Sequence, residues 1–213
     1  GGRARIWAAR WHAALVLLES ADPGRGSEVI SLVRSVVPLA GAPGRTVSAT
    51  LGAAPCGVLT QLPGTALELA AVLVHEVQHS KLAVLADLTP LHQDDGAASG
   101  AARYPVAWRA DPRPLSAVLQ GTYAHLALAD LWHRLAARRG ATPAARSAAR
   151  ARREEYRGQV AQALAVLRES GELTGAGREF TRGMARHHAS LRDRPGGAGP
   201  GPGLTGRRHV TAR

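Results

Sequence analysis

The feature that most constrains this chain is a pentapeptide, HEVQH at residues 75–79, set inside the apolar run LAAVLVHEVQHSKLAVLADL. No Pro or Gly interrupts Thr65 to Leu88, and Ala66, Leu69, Ala70, Leu73, Val74, Val77, Leu82, Leu85 and Ala86 recur at helical spacing. Pro63, Gly64 and Thr65 supply a start signal, and Glu68 follows Thr65 at the offset of a capping box. One long, largely buried helix is therefore predicted here. On it His75 and His79, four residues apart, stand above one another with Cβ atoms about 5–6 Å apart, so both imidazoles can reach one cation. Glu76 lies beside them, placed to act on a metal-bound water or to orient a ligand. The competing reading is a pair of satisfied core histidines on an ordinary helix, but uncompensated burial of these polar groups beside Leu73, Val74 and Val77 would cost several kcal/mol.

The chain of 213 residues is long enough for one sizeable core. One domain over residues 1–192 is expected, followed by a disordered Gly/Pro/Arg-rich tail over 193–213, whose GGAGPGPGLTGRRHVTAR cannot bury enough apolar surface to offset its ordering entropy. The formal charge of +11 would ordinarily suggest nucleic acid. Yet Lys81 is the only lysine, and the arginines accompany abundant Ala, Gly and Pro. The densest basic cluster, Arg138, Arg139, Arg146, Arg150, Arg152 and Arg153, has no interleaved aromatics on which bases could stack. A solvated surface that can hold an acidic peptide or a partner subunit is the better expectation. Cys56 stands alone, so no intramolecular disulfide can form, and a buried structural thiol is expected. Neither a membrane-spanning run nor a signal-peptide pattern is evident, so a cytoplasmic location is the default. The chain opens Gly1-Gly2 without Met, compatible with a portion of a longer polypeptide.

The remaining texture predicts a mainly α protein with a small hairpin or sheet (α+β), a helical metal-binding domain. A first helix over 3–20 places Trp7, Trp11, Leu15 and Leu18 on one face, read as core, and a second runs from Ser27 to Val36. Two strands are expected over Thr46–Leu51 and Gly57–Leu62, feeding the HEVQH helix. Thr89–Tyr104 reads as a loop near the site. Further helices are expected over 116–138, 143–169 and 175–190.

Two histidines leave a catalytic metal incomplete, since a third protein ligand and open positions are usual. His125, in the middle of QGTYAHLALADLW, is the preferred third ligand because a lone imidazole among Ala124, Leu126 and Ala127 needs a partner. His133 lies too far along the same helix to share the ion; His92, Asp94 and Asp95 fall in the loop, and Glu154 and Glu155 on a charged helix. Before this helix, WRADPRPL contains two X-Pro units that enforce extended or turn geometry. Such a stiff segment can present Arg109 or Arg113 to a carboxylate in bidentate fashion, or simply pair its arginines with Asp111 and solvent.

The segments LVHEVQHSKLAVLADLTPL (73–91) and WRADPRPLSAVLQGTYAHLALADLWHRL (108–135) resemble the HExxH-motif domain of actinobacterial ribosomal-peptide modification systems, over about Trp7 to Leu135. That domain stands alone or is fused behind a radical SAM maturase acting on peptides that carry a C-terminal FxSxx sequence. The resemblance implies an Fe(II)- and 2-oxoglutarate-dependent peptide β-hydroxylase. His75, His79 and His125 would then ligate iron, Arg109 or Arg113 would bind the distal carboxylate of the cosubstrate, and Glu76 would orient a ligand or water. The implied partners are a precursor peptide and a radical SAM maturase. This chain has no CxxxCxxC cluster motif of its own. Three histidines depart from the usual two-His-one-carboxylate triad, which leaves open whether Glu76 or Asp111 enters the metal's coordination.

Two other functions are weighed. In a zinc metallopeptidase, Glu76 would deprotonate a zinc-bound water, although HEVQHSKLAVL lacks the Gly and third His of the metzincin extension. In a non-catalytic module, the domain would capture a leader peptide for a maturase.

Overall fold

The computed structural model describes residues 2–40, 48–51, 54–93 and 102–192. Helices α1 (Gly2–Ala21) and α2 (Pro23–Leu32) lead into strands β1 (Ser35–Pro38), β2 (Ser48–Leu51) and β3 (Ala54–Thr60), then helix α3 (Ala66–Leu88). A hairpin of β4 (Tyr104–Val106) and β5 (Arg109–Arg113) precedes α4 (Leu115–Ala137), α5 (Pro143–Glu169) and α6 (Gly175–Ser190). The architecture is thus α+β, mainly helical, with one three-stranded and one two-stranded sheet. Among the described residues no helix is long and apolar enough to cross a membrane. The proposed tail, 193–213, lies outside them, as do Asp94 and Asp95.

The start signals act locally. Thr65 accepts from the Glu68 amide while the Glu68 carboxylate takes the Thr65 N–H, closing the capping box at the head of α3. Thr142 and Thr174 cap α5 and α6 in the same way, each accepting from an amide three residues on. Helix α2 departs from the sequence expectation. It begins at Pro23, capped by Asp22, and stops at Leu32 rather than reaching Val36. Asp followed by Pro is the stronger start signal, since Pro fits the first helical turn where its missing N–H is not needed. Ser35 and Val36 instead enter β1, which pairs in parallel with β3, Val36 opposite Val58. Strand β2 runs antiparallel on the other side of β3, giving the order β1-β3-β2. The parallel strand was hidden from a local reading because its partner lies two strands later in the chain. The extended segment expected from WRADPRPL is β5, but its partner β4 starts inside what reads as loop.

Helix α3 forms the spine. Leu69, Ala70, Leu73, Val74 and Val77 pack against Ala14 and Leu18 of α1, Val29 of α2, Val58 of β3 and Leu128 and Leu131 of α4. A second core, built from Leu82 with Leu115, Val118, Leu119 and Leu126 of α4, joins Val160, Ala163, Leu164 and Leu167 of α5 to Met184 of α6. The two cores meet where α3 crosses α4, and the HEVQH segment lies at that junction. Trp7 and Trp11, read as core, are half-buried and pack only against the margin of the first cluster.

Helix α6 is seated by a close backbone approach. The Thr174 amide donates to the Leu91 carbonyl oxygen at 3.1 Å, and a Cβ on Gly177 would lie only 1.7 Å from that oxygen. Both partners are backbone and cannot swing aside. Gly177→Ala is expected to lower the free energy of unfolding by about 3 kcal/mol, read by urea denaturation, whereas Gly183→Ala, whose nearest neighbour is a flexible Arg186 tip at 3.8 Å, should be neutral or slightly stabilising.

Candidate metal centre

His75 and His79 project from one face of α3 with their Nε2 atoms 2.9 Å apart and their rings edge to face. Two imidazoles bound to one ion at about 2.0–2.1 Å from it would hold their nitrogens about 3 Å apart, so the pair is already at that spacing. The same distance suits a hydrogen bond between the rings. A second contact orients His79: its Nδ1 lies 3.0 Å from Oε1 of Gln120 on α4. Since an amide oxygen only accepts, Nδ1–H donates and the Nε2 lone pair is left facing His75. Histidines that ligate metals are commonly fixed through their other ring nitrogen in this manner.

His125, from the middle of α4, comes to the same place. Its ring centroid is 5.5 Å from that of His75, and its Nδ1 is buried with no hydrogen-bond partner. Trp108 covers one side of the ring at 4.5 Å between centroids, and Tyr156 of α5 meets it edge-on at 5.3 Å. Burial pushes the His75 pKa well below the ordinary imidazole value, with the His79 and His125 charges adding to the effect. Burial likewise lowers His125 to about 4, opposed by the Gln159 side chain and reinforced by His79. Both rings are thus neutral near pH 7, the protonation state that a ligating imidazole needs. As placed, the three rings are neighbours without a closed coordination sphere: among the described residues no group of three or more His, Cys, Asp or Glu side chains is arranged to hold one ion. The donor chemistry fits a metal nonetheless, with a pair at ligating separation and a third neutral imidazole carrying an orphaned nitrogen beside it.

Glu76 faces elsewhere. One position along the helix from His75, its carboxylate points under β2, where Oε1 accepts from the Ser48 hydroxyl at 2.7 Å and Oε2 from the Thr50 hydroxyl at 2.6 Å. The side chain is buried. Both oxygens are engaged in tying α3 to the sheet.

The arginines of β5 sit outside this cluster. Arg113 pairs with Asp111 at 2.9 Å on the surface, which also holds the exposed Asp111 carboxyl below its usual range. Arg109 is exposed, one residue from Trp108. The other candidate ligands among the described residues have partners elsewhere. His133 contacts Arg153, Glu154 and Glu155 pair with Arg157 and Arg152, and the ring of His92 donates to the Gln93 carbonyl.

Sequence reasoning missed Gln120, Trp108, Tyr156, Ser48 and Thr50. Gln120 shares a helix with His125 and could have been found by asking which polar side chain on α4 can serve a histidine on α3. Trp108 has a further signal, since a Cβ on the following Gly121 would lie 2.6 Å from its indole. The glycine makes room for the ring that covers His125. Cys56 is half-buried rather than buried, and it adopts a positive φ of 71° beside the irregular β2–β3 register. Its amide donates to the Ser80 hydroxyl of α3.

No protein-family model and no curated protein sequence matches the chain.

Two outcomes follow from this geometry. Glu76→Ala takes from Ser48 its carboxylate partner and leaves the Thr50 hydroxyl only the residue-76 carbonyl oxygen, and should destabilise the fold by about 1–3 kcal/mol, measured by thermal or urea unfolding of the metal-free protein. Gln120→Ala, which removes the partner that orients His79, should weaken Co(II) binding by about 10–100-fold, measured by optical titration, with little change in the unfolding midpoint.

Proposed function

We propose that this chain is a metal-dependent peptide-modifying enzyme, an Fe(II)- and 2-oxoglutarate-dependent β-hydroxylase of peptide side chains, with His75, His79 and His125 as its ligand set. The observation that carries the reading is the meeting of three imidazoles at the α3–α4 crossing, two with Nε2 atoms 2.9 Å apart and the third with an unpartnered buried nitrogen. When bound, iron with 2-oxoglutarate and O₂ supplies the oxidising power to place a hydroxyl on an unactivated carbon, the cosubstrate leaving as succinate and CO₂. The protein's own contributions are more local. Gln120 holds the His79 tautomer, while Trp108 and Tyr156 wall the His125 ring from water. Of the two arginines, Arg109 is the better candidate for the distal carboxylate of the cosubstrate, because Arg113 is already committed to Asp111.

One observation favours oxidation over hydrolysis. In the zinc metallopeptidase reading, Glu76 must take a proton from a metal-bound water, and its two carboxylate oxygens here accept from Ser48 and Thr50 instead. A non-catalytic capture module would need no cluster of histidines, so the meeting of His75, His79 and His125 at the α3–α4 crossing also weighs against it.

The test is aerobic incubation of the protein with Fe(II), 2-oxoglutarate and the precursor peptide encoded beside its gene, followed by mass spectrometry. Gain of one oxygen atom, coupled to succinate release and abolished in His75→Ala and His125→Ala, is the expected result. Peptide cleavage with Zn(II) would overturn the proposal in favour of the peptidase, and peptide binding with neither product would reduce the chain to a capture module.

A further inference from the structure

At the edge of the three-stranded sheet opposite β2, the strand that holds Glu76, lies a second feature that the histidine cluster does not use. Strand β1 pairs only with β3 among the described residues, so its other edge presents backbone donors and acceptors with no strand partner. Beside it runs an apolar groove of about 460 Å³, walled by Ala4, Trp7, Ala8 and Trp11 of α1 and by Val33 to Val36. The floor is aromatic, and Trp7 contributes a buried indole N–H with no hydrogen-bond partner. Val37, next on the strand, is 46% exposed.

The segments that wall this groove carry charge of one sign. The first acidic residue of the chain is Glu19, and none occurs between Glu28 and Glu68. Every charged side chain on the N-terminal half of α1 and from Val33 to Pro38 is therefore an arginine. Arg3 and Arg5 are exposed on α1, and Arg34 is exposed at the head of the strand. An exposed edge normally carries blunting devices against uncontrolled pairing. Here a short strand and a cationic rim repel basic or identical chains while leaving the edge open to an acidic one.

We propose that this groove is a docking site for an acidic, extended segment of a peptide, which adds as a strand to β1, lays its alternate side chains on Trp7 and Trp11, and neutralises Arg3, Arg5 and Arg34. Strand addition takes affinity from main-chain hydrogen bonds and selectivity from pockets for alternate side chains, and the basic rim sets partner choice and on-rate. Identifying that peptide as the enzyme's own substrate, held at a segment remote from the modified residue, rests on the function proposed above; the docking site itself does not.

The experiment is fluorescence anisotropy of a fluorescein-labelled peptide of alternating Glu and Val, added to the wild-type protein without metal. Saturable binding is expected, weakened about tenfold or more in the double variant Arg3→Glu/Arg34→Glu and several-fold in Trp7→Phe, which keeps the ring but loses the indole donor. The same peptide N-methylated at alternate backbone nitrogens should not bind, because strand addition needs those N–H groups. His75→Ala should bind the unmethylated probe like the wild type, which separates failure of the docking site from failure of the metal chemistry. Equal binding of the methylated peptide, undiminished binding by the arginine double variant, or a stable dimer that masks the groove and is not dissociated by the probe would each overturn the proposal.

Discussion

A buried polar group must find a partner, and helix α3 carries more of them into the core than an ordinary buried helix can afford. Most are answered by another element. Glu76 takes the hydroxyls of Ser48 and Thr50 on β2, Ser80 accepts the Cys56 amide of β3, and His79 is held by Gln120 of α4. Lys81 reaches Glu28 of α2 at 2.6 Å, and Gln78 turns back to the Val74 carbonyl of its own helix. Leaving any one unmade costs about 1–3 kcal/mol, more for the charged groups, so the bonds to other elements act as spokes that fix the rotation and height of α3 against β2, β3, α2 and α4. The apolar stripe alone would tolerate a helix slipped or rotated by part of a turn. The spokes do not, and they are what hold two imidazole nitrogens at ligating distance on a helix that is otherwise Ala, Leu and Val.

A second polar assembly makes α4 equally immobile. Asp22, the cap of α2, and Asp130 of α4 are both buried carboxylates, and Arg134 reaches them at 2.9 and 3.4 Å, with Arg25 3.8 Å from Asp130. Breaking such a group by removing its cation leaves charge stranded in the interior, which is costly even where the intact pair contributes little net stability. The consequence for the site is positional. With α3 spoked to the sheet and α4 clamped to α2, the crossing point of the two helices is set from outside, and His125 is carried to His75 by its helix, with Trp108 and Tyr156 packed on its ring.

How much of this was legible in the sequence follows from how local each signal is. Helices α3, α5 and α6 were readable nearly to the residue because caps and periodicity act within a turn or two, as at Thr65, Thr142 and Thr174. The helical start at Asp22-Pro23 was passed over for Ser27, although its chemistry was equally local. Strand β1 was not legible, since a four-residue segment with no alternation acquires strand character only from β3, and β3 follows a long intervening stretch. At the site the histidines were legible because imidazoles in an apolar helix stand out against their neighbours. Their supports were not. Gln120, Ser48 and Thr50 are ordinary polar residues whose meaning depends on packing across the fold, and Tyr156 lies on a helix whose sequence reads as a solvated charged rod.

The two proposed sites stand in a definite relation within the three-stranded sheet. Glu76 is fastened beneath β2, and the free edge belongs to β1, with β3 between them. Strands lie about 4.8 Å apart, so roughly 10 Å of sheet separates the proposed docking edge from the strand that anchors the histidine-bearing helix α3. An extended chain advances at most about 3.3–3.6 Å per residue. A peptide engaging both proposed sites needs a spacer between its acidic segment and the residue presented to the histidines, with a length set by the path from the β1 edge to the α3–α4 crossing. That separation has a chemical use. Under the two proposals, affinity gained on Trp7, Trp11 and the arginine rim would not depend on the side chain to be modified, so it would hold a weakly binding residue near the histidines without requiring that site itself to grip it. The constraint falls on the spacing between the two segments rather than on the identity of the residue at the reactive end.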